Sequence, residues 1–236
     1  MLKNNWINYW DKKNIWTESH LWKKNIKILY KKTSKIFNYN KEMNILDIGC
    51  GNGDFAYKIS EKVNQVFCVD VSKEYVNICK NRFLNKKNIH TFLLGNNYTD
   101  MSFLIKNKFS IIFANSVVQY YNSQDEIVEL VRSVKKIAEK DGCFLISDIE
   151  VHKEKKKSYL KLIYNSIING YFIPLIKMGS ELLVDKNYKK TEEKQPILVV
   201  DLNKLIEDIS VFVKDVKIVN QNITANVDRK HLLIRF

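Results

Sequence analysis

The spacing of apolar positions changes period along the chain. From Ile7 to Phe37, residues Trp10, Trp16, Trp22, Ile26, Leu29 and Tyr30 recur among lysines. That spacing predicts amphipathic helix. Its aromatics suit either core packing or a lid over the mouth of a site. After Asn40 short apolar runs alternate with helical stretches. "NILDI", "QVFCVD", "HTFLLG", "FSIIFANS" and "CFLISDI" read as strands. Asp54 to Val63, Ser72 to Leu84 (with Ser72 as N-cap) and Gln124 to Glu139 read as helices, the last closed by Asp141 and Gly142. Continuously apolar strands alternating with helices predict a parallel sheet covered on both faces.

The alternation breaks between Glu150 and Val199, where about 50 residues stand in place of a short connection. This stretch holds a lysine run, an aromatic and apolar helix, and polar turns. "DLNKLIEDI" returns to helix, and "DVKIVNQ" and "HLLIRF" close the chain. These last two strands, joined by a short connection, are predicted to pair antiparallel. The expected architecture is one α/β domain over 1–236. It is a doubly wound, Rossmann-like seven-stranded sheet of five parallel strands and a terminal antiparallel hairpin. A helical lid is expected over 1–40 and an insertion after the fifth strand over 150–199.

Composition narrows the function classes. The 236 residues are 45% hydrophobic and 28% charged, an ordinary globular balance. The formal charge of +13 invites a nucleic-acid partner. The excess is lysine, however: the arginines are Arg82, Arg132, Arg229 and Arg235. Bidentate recognition of phosphate and bases favours arginine, so nucleic acid is disfavoured and a solvated surface is the default. Cys50, Cys68, Cys79 and Cys143 form no C-x-x-C pair and read as free thiols of a reducing compartment, with no metal site. The N-terminus lacks a signal-peptide core. Leu162 to Ile176, the longest uncharged run, falls short of the roughly 18 apolar residues of a spanning helix. A cytoplasmic protein is expected.

The chemistry is concentrated in "NILDIGCGNGDF". A dinucleotide turn is G-x-G-x-x-G, whereas Gly49, Gly51 and Gly53 give G-x-G-x-G, and no G-K-[ST] follows. Asp47, two residues before the first glycine, would repel a pyrophosphate and suits a ligand carrying an ammonium group. Asp70 ends the second strand nineteen positions after Gly51, where a doubly wound fold places the acid that binds a ribose. A ligand with a ribose, a cationic part and no required phosphate fits S-adenosyl-L-methionine.

On these residues the sequence resembles the class I S-adenosylmethionine-dependent methyltransferases. Residues 44–149 hold the motifs in order: "ILDIGCGNGDF", "VFCVDVS", "LLGNNYTD", "FSIIFANSVVQYY" and "GCFLISDI". The resemblance implies that the backbone of Gly49, Cys50 and Gly51 passes the methionine part of the cofactor, with Asp47 nearby. It implies that Asp70 binds the ribose, Val71 packs on the adenine, and Asn96 and Asn97 approach the adenine amine. Asn115 would accept from the ligand's amino group. Turn capping is the competing role for Asn96 and Asn115.

The acceptor is less constrained. "NSVVQYY" after the fourth strand has no [DN]-P-P-[FY], and no Pro-Cys pair occurs, so base-amine and pyrimidine-carbon chemistry lose support. What remains is methyl transfer to an oxygen or nitrogen of a small polar metabolite. The "YWD" opening and the "SVVQY" loop also look like methyltransferases of bacterial surface-polysaccharide and secondary-metabolite pathways, with which a sugar or polysaccharide precursor, a sugar nucleotide or another polar metabolite would fit as acceptor. An RNA methyltransferase and a non-catalytic cofactor-binding module are the alternatives. A hydroxyl acceptor benefits from a general base. The candidates are His152, beside Asp148 and Glu150 on the acceptor rim, and His20 in the lid. Gln119 and Tyr120 are candidate positioning groups, with packing under the lid the other role for the tyrosines. His90 and His231 read as structural. The insertion offers Tyr159, Tyr164, Tyr171 and Phe172 for stacking and Lys153 to Lys157 for an anionic group. It is expected to cap the acceptor; a peripheral membrane helix and a dimer interface are lesser readings. Oligomeric state is left open.

Overall fold

The computed structural model describes residues 4–12, 14, 19–151, 155–168 and 170–236. The first helical segment is two helices, α1 (Asn5–Trp10) and α2 (His20–Phe37). Asn4 caps α1 through Trp6 N, and Ser19 caps α2 through Trp22 N. Asn38 ends α2 in the left-handed conformation at φ 46°. The continuous helix expected from Ile7 is therefore not formed. Local capping starts a second helix at His20.

The alternating region follows as β1 (Asn44–Ile48), α3 (Asp54–Ser60), β2 (Gln65–Asp70), α4 (Lys73–Arg82), β3 (Ile89–Leu93), β4 (Phe109–Asn115), α5 (Gln124–Ile137) and β5 (Ala138–Ile149). Ser72 caps α4, accepting from Tyr75 N at 3.1 Å. In α5, Ile127, Leu130, Val131, Val134 and Ile137 are all fully buried. Their spacing lays one apolar stripe on the sheet.

The helix expected to close at Asp141–Gly142 ends at Ile137 instead, and those two residues sit inside β5. The β4–β5 register shifts there, between the pairs Phe109↔Ala138 and Ile111↔Cys143. Asp141 takes φ 65°. A Cβ on Gly142 would lie 3.0 Å from the Phe109 carbonyl oxygen, so the small residue lets the strand kink against its neighbour.

The insertion forms α6 (Lys155–Ile168), α7 (Phe172–Val184) and α8 (Lys186–Lys194), and α9 (Leu202–Ser210), β6 (Asp215–Ile218) and β7 (Lys230–Arg235) complete the fold. The sheet order is β3-β2-β1-β4-β5-β7-β6. Strands β1 to β5 pair parallel, and β7 lies antiparallel between β5 and β6. The connection between β6 and β7 is longer than expected, spanning residues 219–229. It crosses the carboxyl edge of the sheet, with Ile223 fully buried. The strand order reverses between β1 and β4, the switch point at which open α/β sheets open a crevice for ligands.

Candidate active site

A cavity of about 290 Å³ lies over that switch point. Its floor comes from strand ends: Gly49 and Gly51 after β1, Asp70 and Val71 at β2, Asn115 and Ser116 at β4. Asp148 of β5 joins them. Its roof comes from helices that sequence periodicity alone could not aim: Trp6 and Trp10 of α1, Trp22 of α2, Leu175 and Met178 of α7, and Tyr188 of α8. The wall is predominantly apolar.

The glycine turn divides its work. Gly49 (φ 68°) and Gly53 (φ 77°) have no room for a side chain: a Cβ would meet Val117 Cγ2 at 2.3 Å and Phe83 Cζ at 2.5 Å. Gly51 (φ 56°) has nothing within 4 Å of a built Cβ. Its bare face is turned to open space on the cavity floor, where a ligand can approach the backbone.

Asp70 is buried and holds this turn. Its Oδ2 accepts from Gly51 N and its Oδ1 from Ser72 N, both at 2.9 Å. Burial pushes its carboxyl up to about 6, opposed by the backbone N–H bonds. Asp47 is buried behind the floor, with Oδ2 lacking any hydrogen-bond partner among the described residues. Burial, and then the neighbouring Asp70 charge, raise it to about 8. Asp70 is thus the group that stays largely ionised at neutral pH, and Asp47, mostly protonated, leaves an unpartnered oxygen beneath the same turn; together they give the floor acceptor atoms that a cationic, hydroxyl-bearing ligand would complement.

The other expected cofactor positions fall unevenly. Val71 and Asn115 stand on the wall, and Asn115 Oδ1 accepts from Ser147 Oγ at 2.7 Å. Cys50 is buried off the wall, its thiol directed to the Gly51 carbonyl. Asn96 and Asn97 are exposed and do not line the cavity. The reason is local. Leu94 N bonds Asp70 O, continuing the β3 edge, and the chain swings out at Gly95 before Tyr98 returns. Leu94 and Tyr98 line the wall there instead, with Tyr98 OH anchored to Glu126 Oε2 at 2.6 Å.

At the acceptor end, His20 is exposed at the first position of α2 and does not reach the cavity. His152 lies outside the described residues. Gln119 and Tyr120 do line the wall. Gln119 Oε1 accepts from Arg229 Nη1 at 2.9 Å, and Arg229 Nη2 pairs with Glu150 Oε2 at 3.0 Å. Tyr120 packs its ring on Trp6 and Trp10, with centroids 4.9 and 5.1 Å apart. Burial raises its hydroxyl far above the ordinary tyrosine value, so it stays protonated.

Asp148 is the cavity carboxylate that sequence reasoning did not select. Its Oδ2 accepts from Ser116 Oγ at 2.7 Å and its Oδ1 from Thr224 Oγ1 at 3.2 Å. Its backbone N–H donates to Nδ1 of buried His231 at 3.1 Å, which places that ring's proton on Nε2. Burial lowers His231 to about 4. The signal available in the sequence was the strand-end pattern: Asp148 stands next to last in β5, and Asn115 ends β4.

The roof is stitched down by polar contacts. Trp6 Nε1 donates to Gln195 O at 3.0 Å, Asn4 Nδ2 to Tyr120 O at 2.8 Å, and Ser72 Oγ to Trp10 O at 2.7 Å. Trp16 lies outside the described residues. The tyrosines expected to stack on an acceptor do not all do so. Tyr164 is exposed, and Tyr171 is buried as the hinge between α6 and α7, its OH donating to Ala225 O. Phe172 is half-buried and off the wall, and the side chain of Tyr159 lies outside the description.

A seven-stranded sheet with this order, carrying a glycine turn and a strand-end acid at the switch point, defines a Rossmann-like ligand-binding enzyme fold. The chain belongs to the methyltransferase-domain family, whose pattern it matches over residues 39–198. Solved structures agree in fold. The N-methyltransferase NodS of Bradyrhizobium japonicum, in complex with S-adenosyl-L-homocysteine, superposes with a TM-score of 0.59 at 11% identity, over 99% of this chain and 98% of that one. The PH0226 protein of Pyrococcus horikoshii gives 0.61 at 13% identity over 92% of each chain. A Haemonchus contortus phosphoethanolamine N-methyltransferase gives 0.51 at 16% identity, over 67% of this chain but 38% of its own. No curated protein sequence matches the chain.

Proposed function

We propose that the chain transfers a methyl group from S-adenosyl-L-methionine to an oxygen or nitrogen of a small molecule whose body is largely apolar. The observation that carries this reading is the bare Gly51 face and Asp70 at one end of a cavity closed by aromatic side chains. The bound cofactor supplies a methyl carbon on a positively charged sulfur, and the acceptor's lone pair displaces that sulfur as a neutral thioether.

The chain's own residues align and exclude. Asp70 offers its remaining lone pairs to the ribose hydroxyls beside Gly51. Val71, Leu94 and Tyr98 give the adenine an apolar slot in place of Asn96 and Asn97. Asn115 faces the cationic end, with the mostly protonated Asp47 buried behind it. Trp6, Trp10 and Tyr120 keep water from the transfer. Asp148, fixed by Ser116 and Thr224, is the acceptor-side group able to take the proton released on methylation. It takes the role first assigned to His152 and His20.

The apolar wall weighs against a sugar or polysaccharide precursor. Arg229, its guanidinium already shared by Glu150 and Gln119, is not a free phosphate clamp, which weighs against a sugar nucleotide and RNA. Residues 1–40 as a lid and 150–199 as a cap complete this reading, supported by Trp6, Trp10, Leu175 and Tyr188 on the roof.

The test is release of S-adenosylhomocysteine on a panel of phenols, aromatic amines, sugars, nucleotide sugars and RNA. Turnover on the aromatic compounds is expected. Turnover confined to sugars or RNA overturns the acceptor class. Tight cofactor binding without turnover on any of them favours a non-catalytic module.

A further inference from the structure

The helices of the insertion have their apolar residues on the wrong side for a soluble cap. In α6, Leu160, Ile163, Tyr164, Ile167 and Ile168 are exposed, from 41% at Ile163 to 71% at Leu160. Their spacing is i, i+3, i+4, i+7 and i+8, one continuous stripe of a helix. In α7, Ile173, Ile176, Leu183 and Val184 are exposed as well, and no residue of that helix is buried. Yet Leu162, Leu175 and Met178 on the same two helices line the cavity. Helices apolar on the inner and the outer side belong in a core or against lipid. Among the described residues no helix is long and apolar enough to cross a bilayer.

Charge selects the occupant. Residues 153–194 hold ten lysines against five acidic residues. Lys186, Lys189, Lys190 and Lys194, all exposed, follow directly on Val184 in α8, and Lys177 is exposed on α7. Covering this face with a second copy would bring two lysine-rich surfaces together. An anionic bilayer matches both the stripe and the charge.

We propose that the α6–α7 hairpin is a peripheral docking face for anionic membranes, with the apolar stripes entering the headgroup boundary and the lysines of α8 on lipid phosphates. Because the same helices roof the cavity, docking sets the acceptor site against the lipid surface.

The test uses the full chain and co-sedimentation with vesicles of phosphatidylcholine alone or mixed with phosphatidylglycerol. The chain should sediment with the mixed vesicles, at least about tenfold more than with phosphatidylcholine alone, and less as salt rises. The double variant Ile167→Glu/Ile173→Glu should lose about tenfold or more in partitioning while keeping its affinity for S-adenosylhomocysteine. Should that variant fail to fold, Lys186→Gln/Lys190→Gln serves, with about fivefold lost per lysine. Wild-type protein that ignores anionic vesicles overturns the proposal, as does partitioning unmoved by these substitutions. A dimer by light scattering that Ile167→Glu/Ile173→Glu dissociates, without vesicle binding, overturns it and assigns the face to a second copy.

Discussion

Ser116 Oγ donates to Asp148 Oδ2 at 2.7 Å, and both residues hold positive φ, 58° and 67°. Ser116 directly follows β4 and Asp148 is the penultimate residue of the adjacent parallel β5, and each turns sharply at the cavity floor. Left-handed backbone at two non-glycine residues costs on the order of 1–3 kcal/mol each and persists only where surroundings impose it. Here the hydrogen bond ties the two turns together and fixes the Asp148 carboxylate at the cavity wall. Asp148→Asn should therefore lower kcat by about 10²–10⁴-fold on a hydroxyl acceptor, with S-adenosylhomocysteine affinity within twofold. Steady-state kinetics and calorimetry check this; unchanged kcat removes Asp148 from the proton path.

The two glycines of the turn should separate stability from binding. Gly49→Ala places a Cβ 2.3 Å from Val117 Cγ2 and should destabilise the fold. Gly51→Ala meets nothing within 4 Å, so its folding cost is the left-handed backbone alone, roughly 1–2 kcal/mol. Its methyl, however, occupies the cradle, and cofactor affinity should fall at least tenfold. Melting temperatures and calorimetry on both variants distinguish the two effects.

Asp70→Ala removes the acceptor of Gly51 N and Ser72 N as well as the proposed ribose contact. Hydrogen bonds to a charged group contribute about 1.5–3 kcal/mol each. A loss of tenfold or more in cofactor affinity is expected in protein that still folds. Retained affinity for S-adenosylmethionine counts against the ribose role.

Asp47 should make stability depend on pH. Its folded value, raised to about 8 from 3.8, means the folded state holds a proton that the unfolded chain releases near pH 4. The corresponding stability is complete below pH 4 and is lost as pH rises to 8, at up to about 1.4 kcal/mol per pH unit. His231, lowered from 6.5 to about 4 by burial, acts oppositely between those two values. Chemical denaturation of Asp47→Asn against the parent isolates the Asp47 part: the difference should grow from pH 5 to 8 in favour of the variant. A constant difference would show that Asp47 is ionised throughout.

Trp6 is 1% exposed and meets Tyr9, Tyr120 and Tyr188 edge-on or tilted. Trp6→Ala should cost the packing over the cavity about 3–5 kcal/mol and open the cavity to water. Activity should drop strongly while the sheet melts cooperatively. Normal turnover would make α1 a surface helix only.

The sheet was legible because its information is local. Each buried strand is a continuous apolar run, helix starts such as that of α4 carry a capping residue, Ser72, and Gly49, Gly51 and Gly53 with Asp70 mark the switch point by spacing alone. The β6–β7 antiparallel pairing followed from two strands at the chain end. Contacts between distant segments were not legible. Trp6 meets Gln195 across the roof, and Arg229 reaches Gln119 from a loop read as a short connection. Asn96 and Asn97 looked like wall residues by position in sequence, but the swing at Gly95 carries them out and brings in Tyr98. Periodicity could show that α6 and α7 are apolar, not which side would find a partner. Local pattern determines where the backbone goes, because hydrogen bonding and side-chain period act within a few residues. The side of each helix that meets the sheet, and so which carboxylate faces the cavity, is decided only when separate elements compete for the same buried surface.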